Sequence, residues 1–217
     1  MPADFIYAPP TGPLDVVFQD ADLLVVNKPS GLLSVPGKAA EHADCLETRV
    51  KSAFAEALLV HRLDMDTSGI MVFALNKAAQ RHLGLQFERR HTQKTYEALV
   101  WGQPADSGEV DLPLIVDWPN RPLQMIDAER GKPAHTGWEV IDRDHDFARV
   151  HLRPTTGRSH QLRVHMLAVG HPILGDRFYA KGPALLARPR LCLNALSLSI
   201  FHPVGGARHS FGAPCPF

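Results

Sequence analysis

The apolar segments of this chain are short and are separated by glycine and proline. Its long apolar runs, such as Leu23–Val26 and Ile70–Leu75, fall well below the roughly 20 residues that a membrane-spanning helix needs. The 217 residues include 16 glycines and 18 prolines, which interrupt regular structure often. Hydrophobic residues make up 45% of the chain, as in ordinary globular domains. The sequence therefore predicts a folded protein built from short elements, with no transmembrane helix.

Apolar periodicity predicts strands and helices in an irregular order. The predicted strands cover residues 14–18, 23–27, 70–75, 94–101, 136–141, 148–152 and 191–201. The predicted helices cover residues 44–59, residues 77–90, and a segment from Ser159, as N-cap, to just before Gly170. Because strands do not alternate regularly with helices, we expect an α+β fold with a largely antiparallel mixed sheet and flanking helices. In the absence of repeats or linkers, residues 1–217 are expected to form one domain.

The charges cancel overall but are unevenly distributed. Lys and Arg number 23, as do Asp and Glu, and a net charge of zero argues against holding nucleic acid by bulk electrostatics. Locally, residues 147–175 contain no acidic residue but carry four histidines and four arginines, namely Arg149, Arg153, Arg158 and Arg163. Residues 81–94 are also basic, with Glu88 their only acid. These two stretches favour an anionic ligand on one face.

Cysteine use and the N-terminus favour a cytoplasmic protein. Cys45, Cys192 and Cys215 are odd in number and widely spaced, which fits neither a disulfide framework nor a cysteine zinc site. Met1–Phe5 lacks a basic segment followed by an apolar one, so no secretory signal is evident.

The segment from His61 to Gly69, HRLDMDTSG, is open to several interpretations. A calcium loop is excluded, because its last carboxylate position would fall on Leu75. Asp64 and Asp66 could act as the acid and nucleophile of a glycosidase, or join His61 at a metal, although nothing else is spaced to complete a metal site. Asp64 could also simply cap a turn before a strand.

The segment from Pro154 to His165, PTTGRSHQLRVH, predicts a tight turn leading into a helix. Gly157 permits the turn, and the first helical N–H groups, with Arg158 and Ser159, would form a phosphate site. Ser159 and Arg163 would share one helical face, as would Gln161 and His165. Arg163 could then pair with a carboxylate from elsewhere in the chain. The alternative is a well-capped surface helix with solvated arginines.

Three segments resemble the active-site motifs of the RluA family of pseudouridine synthases: His61–Gly69, Lys94–Tyr96 and Gly157–His165. The resemblance continues through Asn27–Gly37 and Gly170–Tyr179, so it spans nearly the whole chain. It implies the pseudouridine synthase catalytic fold with a central active-site cleft, and no S4-type RNA-binding domain.

The resemblance also implies an activity and a partner. The activity is isomerisation of uridine to pseudouridine in structured RNA, both in the tRNA anticodon stem-loop and in a loop of 23S ribosomal RNA, without metal or other cofactor. A related enzyme that acts at a single RNA site, and a non-catalytic RNA-binding module, are the alternatives. We expect a monomer that does not bind membranes.

The site residues follow from matching positions in the motifs. The resemblance makes Asp64 the catalytic aspartate, Tyr96 the aromatic residue that stacks on the target base, and Arg163 the partner that keeps Asp64 ionised. Arg62, adjacent to the catalytic motif, is expected to fill the space that a flipped base vacates. The other expected substrate contacts are His61, Arg158, Ser159, His160 and Gln161. One departure is Asn194, where the family usually has His.

Overall fold

A computed structural model describes residues 6–217. This part of the chain divides into two compact units. The first unit comprises Ile6–Lys94 and Ala195–Pro216, and the second comprises Thr95–Asn194 with Phe217. The expectation about a secretory signal rests on Met1–Phe5, which lie outside the described residues. Within residues 6–217, no helix is both long enough and apolar enough to cross a bilayer.

The elements are numbered in chain order. The strands are β1 (Val16–Gln19), β2 (Leu23–Lys28), β3 (Leu58–Leu59), β4 (Ser68–Ala74), β5 (Gln93–Trp101), β6 (Ser107–Asp111), β7 (Leu114–Val116), β8 (Gln124–Ile126), β9 (His135–Arg143), β10 (Phe147–Pro154), β11 (Leu193–Phe201) and β12 (Arg208–Gly212). The helices are α1 (Leu46–Ala53), α2 (Lys77–Glu88), α3 (Gln161–Ala168) and α4 (Gly182–Leu186). A short 3-10 helix covers Ala40–His42.

The first unit is organised around β4. This strand pairs antiparallel with β2 and with the short β3, and β2 pairs antiparallel with β1. Every residue of β4 is buried, which explains why its sequence is continuously apolar rather than alternating. Helix α2 begins at the N-cap Asn76, whose side chain accepts a hydrogen bond from Ala79 N. Ala79 and Leu83 of α2 pack in the same apolar core as β4.

Gly69, the last residue of the His61–Gly69 motif, is the second residue of β4. Its φ is +112°, a conformation that side chains disfavour. A Cβ at this position would also lie 2.3 Å from the carbonyl oxygen of Ala195 in β11. The close approach of these two backbones therefore requires glycine.

The second unit contains an antiparallel array in the order β5-β10-β9-β6. Its core joins this array to α3 through residues such as Val150, Leu152, Leu162 and Met166. The two-stranded sheet of β7 and β8 is also antiparallel and packs on the other side of α3, with Leu114 against Val164.

The predicted α+β fold class is confirmed, and most predicted elements occur near their expected positions. The first helix is an exception, because it ends at Ala53 rather than at residue 59. Leu58 and Leu59 pair with Phe73 and Ala74 of β4 instead, so pairing with the sheet overrides the local helical pattern. Cys45 and Cys192 are buried thiols that form no disulfide.

Candidate active site

Asp64 lies on a loop of the first unit whose main chain is held at four consecutive carbonyls. The loop runs from Val60 to Thr67, just before β4, and Asp64 itself is half-buried. Ser34 Oγ donates to Leu63 O at 2.6 Å. Thr67 N donates to Asp64 O at 3.1 Å and so closes a turn through the main chain. Hydrogen bonds to the main chain therefore hold the loop at Leu63 and at Asp64.

The next two carbonyls are held by the segment that follows β2. The ammonium of Lys28 donates to Met65 O at 2.8 Å and to Leu32 O at 2.7 Å. Gly31 N also donates to Met65 O, at 2.9 Å, and Ser30 Oγ donates to Asp66 O at 2.7 Å. Lys28 is fully buried. Sequence reasoning missed this supporting residue, because hydrogen bonds from a lysine to main-chain carbonyls leave no pattern in the sequence.

The residues beside Asp64 differ in their surroundings. Arg62 is exposed, as a residue that contacts RNA must be. His61 instead accepts a hydrogen bond at Nε2 from Val72 N, at 3.1 Å, and its ring stacks on Phe87 with centroids 4.6 Å apart. Burial and the nearby Lys94 lower the pKa of His61 to about 3. A neutral, packed ring of this kind supports the loop, and the substrate contact of His61 stays a prediction.

The first unit presents positive charge near the end of α2. Arg81, Arg89 and Arg90 are exposed. Burial, together with the positive charge of Arg90, lowers the pKa of Lys94 to about 8, so this side chain is mostly protonated at neutral pH. The second predicted basic stretch is thus available to an anionic ligand.

Arg163 lies in α3 of the second unit and is only 2% exposed. Its Nε and Nη2 atoms donate to the two carboxylate oxygens of Asp176, at 2.8 Å and 2.6 Å. Asp176, 1% exposed, also accepts at Oδ1 from Phe178 N at 3.0 Å. The expected carboxylate partner of Arg163 is Asp64; within its own unit the arginine has Asp176, which sequence reasoning missed. This pair occupies only part of the guanidinium, which carries further N–H donors.

Two aromatic residues complete the surroundings of Arg163. Its guanidinium carbon lies 5.0 Å from the ring centre of Phe178 and 5.1 Å from that of Tyr179. His160 stacks on Phe178 with centroids 5.6 Å apart, and its Nδ1 is 2.7 Å from the Tyr179 hydroxyl. His160 has φ +53°, a left-handed conformation that non-glycine residues adopt only where neighbours hold them. The second unit therefore brings His160 and Arg163 together around Tyr179.

Gln161, and not Ser159, organises the start of α3. The N-cap is His160, which makes no side-chain capping bond, and Ser159 is exposed outside the helix. The predicted capping by Ser159, and the helical face it was to share with Arg163, are therefore wrong. Gln161 holds this loop instead: its Oε1 accepts from Arg158 N at 3.0 Å and from Thr156 Oγ1 at 2.7 Å.

The other half of the Gln161 amide is also used inside the protein. Its Nε2 donates to His135 O at 2.9 Å and to Thr136 Oγ1 at 3.0 Å. His165 Nδ1 meets the same hydroxyl at 3.0 Å, so Gln161 and His165 do share a face, as predicted. Burial lowers the pKa of His165, and the neutral ring suits this network. Gln161 therefore stabilises the start of α3, and its predicted substrate contact stays a prediction.

The arginines of residues 147–175 have partners elsewhere in the second unit. Arg149 pairs with Glu97, Arg153 pairs with Glu139 at 2.7 Å, and Arg163 pairs with Asp176. Arg158, half-buried, donates from Nε to Pro133 O at 3.1 Å. Acidic side chains from elsewhere in the unit thus pair with three of these four arginines.

Tyr96 and Asn194, which the sequence analysis singled out, both lie in strands. Tyr96 lies in β5, opposite Leu152 of β10, and is half-buried. Asn194 is 1% exposed at the start of β11, which places its side chain inside the protein rather than on a surface open to RNA.

Among residues 6–217, the only group of three potential metal-ligating side chains is formed by Asp20, Asp22 and His202. Asp20 Oδ2 and His202 Nε2 are 2.8 Å apart, and Asp22 Oδ1 accepts from Asn76 Nδ2 at 2.7 Å. These atoms link turns of the first unit to one another, and the group does not include the Asp64 loop.

Comparison with known proteins decides the family. A family model described as RNA pseudouridylate synthase matches residues 22–168. The chain belongs to the RNA pseudouridylate synthase family. It is 56% identical over 214 residues to the dual-specificity RNA pseudouridine synthase RluA of Escherichia coli (strain K12), covering 97% of this chain and 98% of that protein. It is 54% identical, with the same coverage, to the dual-specificity RNA pseudouridine synthase RluA of Pasteurella multocida (strain Pm70).

A solved structure from the same family agrees. The human RNA pseudouridylate synthase domain containing 1 superimposes with a TM-score of 0.79 at 29% identity, covering 97% of this chain and 87% of that one. Membership of the RNA pseudouridylate synthase family makes this protein a pseudouridine synthase, an isomerase that acts on RNA. The argument from zero net charge against a nucleic-acid partner is therefore wrong, because local contacts rather than total charge decide RNA binding.

Proposed function

We propose that this enzyme is dual-specific and converts uridine to pseudouridine in both the tRNA anticodon stem-loop and a loop of 23S ribosomal RNA. Two proteins that are 56% and 54% identical over nearly their whole length carry the description dual-specificity. The motif segments His61–Gly69 and Gly157–His165 support the same assignment. The alternative is an enzyme of this family with a single RNA site.

We infer that Asp64 is the catalytic residue. The observation that carries this assignment is that hydrogen bonds hold four consecutive main-chain carbonyls, those of residues 63 to 66. A loop fixed through its main chain presents a side chain in a set direction, which is the preorganisation that catalysis requires. Buried Lys28 donates one of these hydrogen bonds, to the carbonyl of Met65.

The isomerisation of uridine to pseudouridine requires one ionised carboxylate. Pseudouridine formation breaks the bond between N1 and C1′ and joins C5 to C1′; the proton on C5 leaves and one returns to N1. The isomerisation is redox-neutral, and we propose that it needs no metal or other cofactor. An ionised Asp64 would either attack C1′ or remove the 2′ proton, and both routes require the same charge state.

We propose that Tyr96 stacks on the target uracil and takes part in removing the C5 proton. Arg163 is assigned to stabilising the ionised form of Asp64, since a guanidinium favours a nearby carboxylate anion. Its pairing with Asp176 and its contacts with two aromatic rings would fix its direction before RNA binds. Arg158, Ser159 and His160 are kept as proposed RNA contacts.

The substrate proposal is tested with two RNAs labelled with tritium at uracil C5, one a tRNA anticodon stem-loop and the other a fragment of 23S ribosomal RNA. We expect the wild-type protein to release tritium from both. Release from only one would establish the single-site alternative, and release from neither would overturn the proposal.

Arg62 is proposed to occupy the space that the flipped uridine leaves. Replacing it with alanine should then lower activity on a structured stem-loop by about 10-fold or more, because the unstacked base loses a substitute partner. Activity on an unstructured oligonucleotide with the same sequence should fall much less. The two rates are compared by tritium release. Equal losses on both RNAs would assign Arg62 to general binding instead.

The remaining proposals concern the protein as a whole. Its substrates are cytoplasmic RNAs, so we propose that the protein acts in the cytoplasm, away from membranes. We also propose that it acts as a monomer, with both compact units contributing to one catalytic domain.

A further inference from the structure

Trp118 stands on the turn of the β7–β8 hairpin and is 62% exposed. The guanidinium carbon of Arg121 lies over its ring, 4.3 Å from the centroid. Arg121 Nε also donates to the carbonyl of Trp118 at 3.2 Å. We call these two side chains the Trp118–Arg121 platform. A large aromatic ring kept in solvent contributes little to the core, so its placement calls for another explanation.

The turn that carries the platform is closed by its own hydrogen bonds. Asp117 N donates to Leu123 O at 2.9 Å, Asn120 N donates to Asp117 O at 3.1 Å, and Leu123 N donates to Asn120 O at 3.1 Å. The Asn120 side chain also donates to the Asp117 carboxylate at 2.9 Å. The platform is therefore built in advance rather than formed by the ligand, which lowers the entropic cost of binding.

The hairpin is attached to the helix that carries Arg163. Leu114 and Leu123 pack with Val164 of α3 and with Tyr179. The Tyr179 hydroxyl accepts a hydrogen bond from Gln124 N, at 2.9 Å.

That hydroxyl is also the link to the site. It lies 2.7 Å from His160 Nδ1 at the start of α3, and the Tyr179 ring faces the Arg163 guanidinium at 5.1 Å. The position of the hairpin is therefore set relative to Arg163 by shared partners. A ligand bound on the platform would therefore have a fixed position relative to Arg163, which we assign to catalysis.

The chemistry of the platform fits an unpaired nucleobase. Proteins bind single-stranded or splayed-out bases by stacking them on aromatic rings and on arginine guanidinium planes. The positive charge of Arg121 suits the adjoining phosphates. A protein partner would need a continuous apolar patch. The other exposed apolar residues of the hairpin, Met125 and Ile126, are consecutive in β8 and so point to opposite faces.

We propose that the Trp118–Arg121 platform stacks an unpaired base of the RNA loop other than the target uridine. The platform thereby helps to select structured loops and to set their register on the second unit. The proposal rests on the proposed function, since it assigns a second contact to the same RNA.

The test measures binding of a labelled RNA stem-loop by fluorescence anisotropy, with wild-type protein and the variants Trp118→Ala and Trp118→Phe. We expect Trp118→Ala to raise Kd about 10-fold, in line with the loss of one base–aromatic stack. Trp118→Phe should restore most of the affinity, because it restores an aromatic face. In tritium release, the loss should fall mainly in KM rather than in kcat. On a fully paired duplex, the variants and the wild type should bind alike.

Ile141→Ala is the matched control, since Ile141 is an exposed apolar residue of β9, 46% exposed, outside the hairpin. It should bind the stem-loop like the wild type. The proposal is overturned if Trp118→Ala binds as tightly as the wild type, if its loss is the same on the duplex, or if sedimentation shows that the variant changes self-association instead. Wild-type turnover combined with unchanged Trp118→Ala binding would reject the platform alone, whereas no wild-type turnover would reject the proposed function.

Discussion

Replacing Asp176 with alanine is expected to lower the free energy of unfolding by about 3–5 kcal/mol, because it removes the carboxylate that binds Nε and Nη2 of the buried Arg163 guanidinium. Both side chains are almost completely buried, at 2% and 1% exposure, so water cannot replace the lost partner. The substitution also removes the acceptor for Phe178 N. Asp176→Asn keeps the shape and one oxygen acceptor, and should cost less than the alanine variant.

Urea denaturation followed by circular dichroism measures this change. The matched control is Glu139→Ala, which breaks an ion pair of the same kind with Arg153, 2.7 Å long but about half exposed on both sides. Because solvent screens that pair, its loss should cost about 1 kcal/mol or less. If the two alanine variants were equally stable, the buried pair would not be what holds Arg163.

The Asp176 pair illustrates what the sequence could predict and what it could not. The arginine was recognisable because its motif, Gly157–His165, is continuous in the chain, and a buried or paired role follows from its place on a short helix. Its partner follows a separate turn, and no periodicity links Asp176 to Arg163. Such a pairing depends on tertiary packing.

The same limit applies to the charge of residues 147–175. Residues 147–175 contain no acid, yet Glu97 and Glu139 come from the neighbouring strands β5 and β9 to pair with Arg149 and Arg153. A run of one charge in the sequence reports on neighbours along the chain only. In an antiparallel sheet, the nearest charged side chains are those on the neighbouring strands.

The strands were easier to predict from the sequence than the N-terminal cap of α3. β4 is buried over its whole length, so its continuous apolar run indicated its position directly. At the start of α3, Ser159 is the residue type that usually caps a helix. The Gln161 side chain instead holds the preceding loop, through four hydrogen bonds to groups of β9 and of residues 156–158. Local preference is overridden where a buried network supplies the same bonds.

Replacing Asp64 with asparagine is the change with the largest expected effect on activity. Asparagine has nearly the same shape but carries no charge, so it can neither attack C1′ nor remove a proton. We expect the rate of pseudouridine formation to fall by about a thousand-fold or more. The variant should still fold, because the hydrogen bonds to the main-chain carbonyls of residues 63–66 are kept.

Asp66→Asn is the matched control, since Asp66 is two residues away, half-buried, and on the same loop. The substitution keeps the main-chain carbonyl of Asp66, which accepts the hydrogen bond from Ser30 Oγ. The Asp66 variant should retain most of the wild-type activity. A paired-carboxylate glycosidase would instead lose activity equally in both variants and would release free base or sugar.

The most direct test is single-turnover tritium release from stem-loop RNA labelled at uracil C5, with wild-type protein, Asp64→Asn and Asp66→Asn at equal concentration. Circular dichroism checks that all three are folded. Our account predicts release by the wild type and by Asp66→Asn, and none above background by Asp64→Asn. Release by a folded Asp64→Asn at the wild-type rate would contradict the assignment of Asp64 as the catalytic residue.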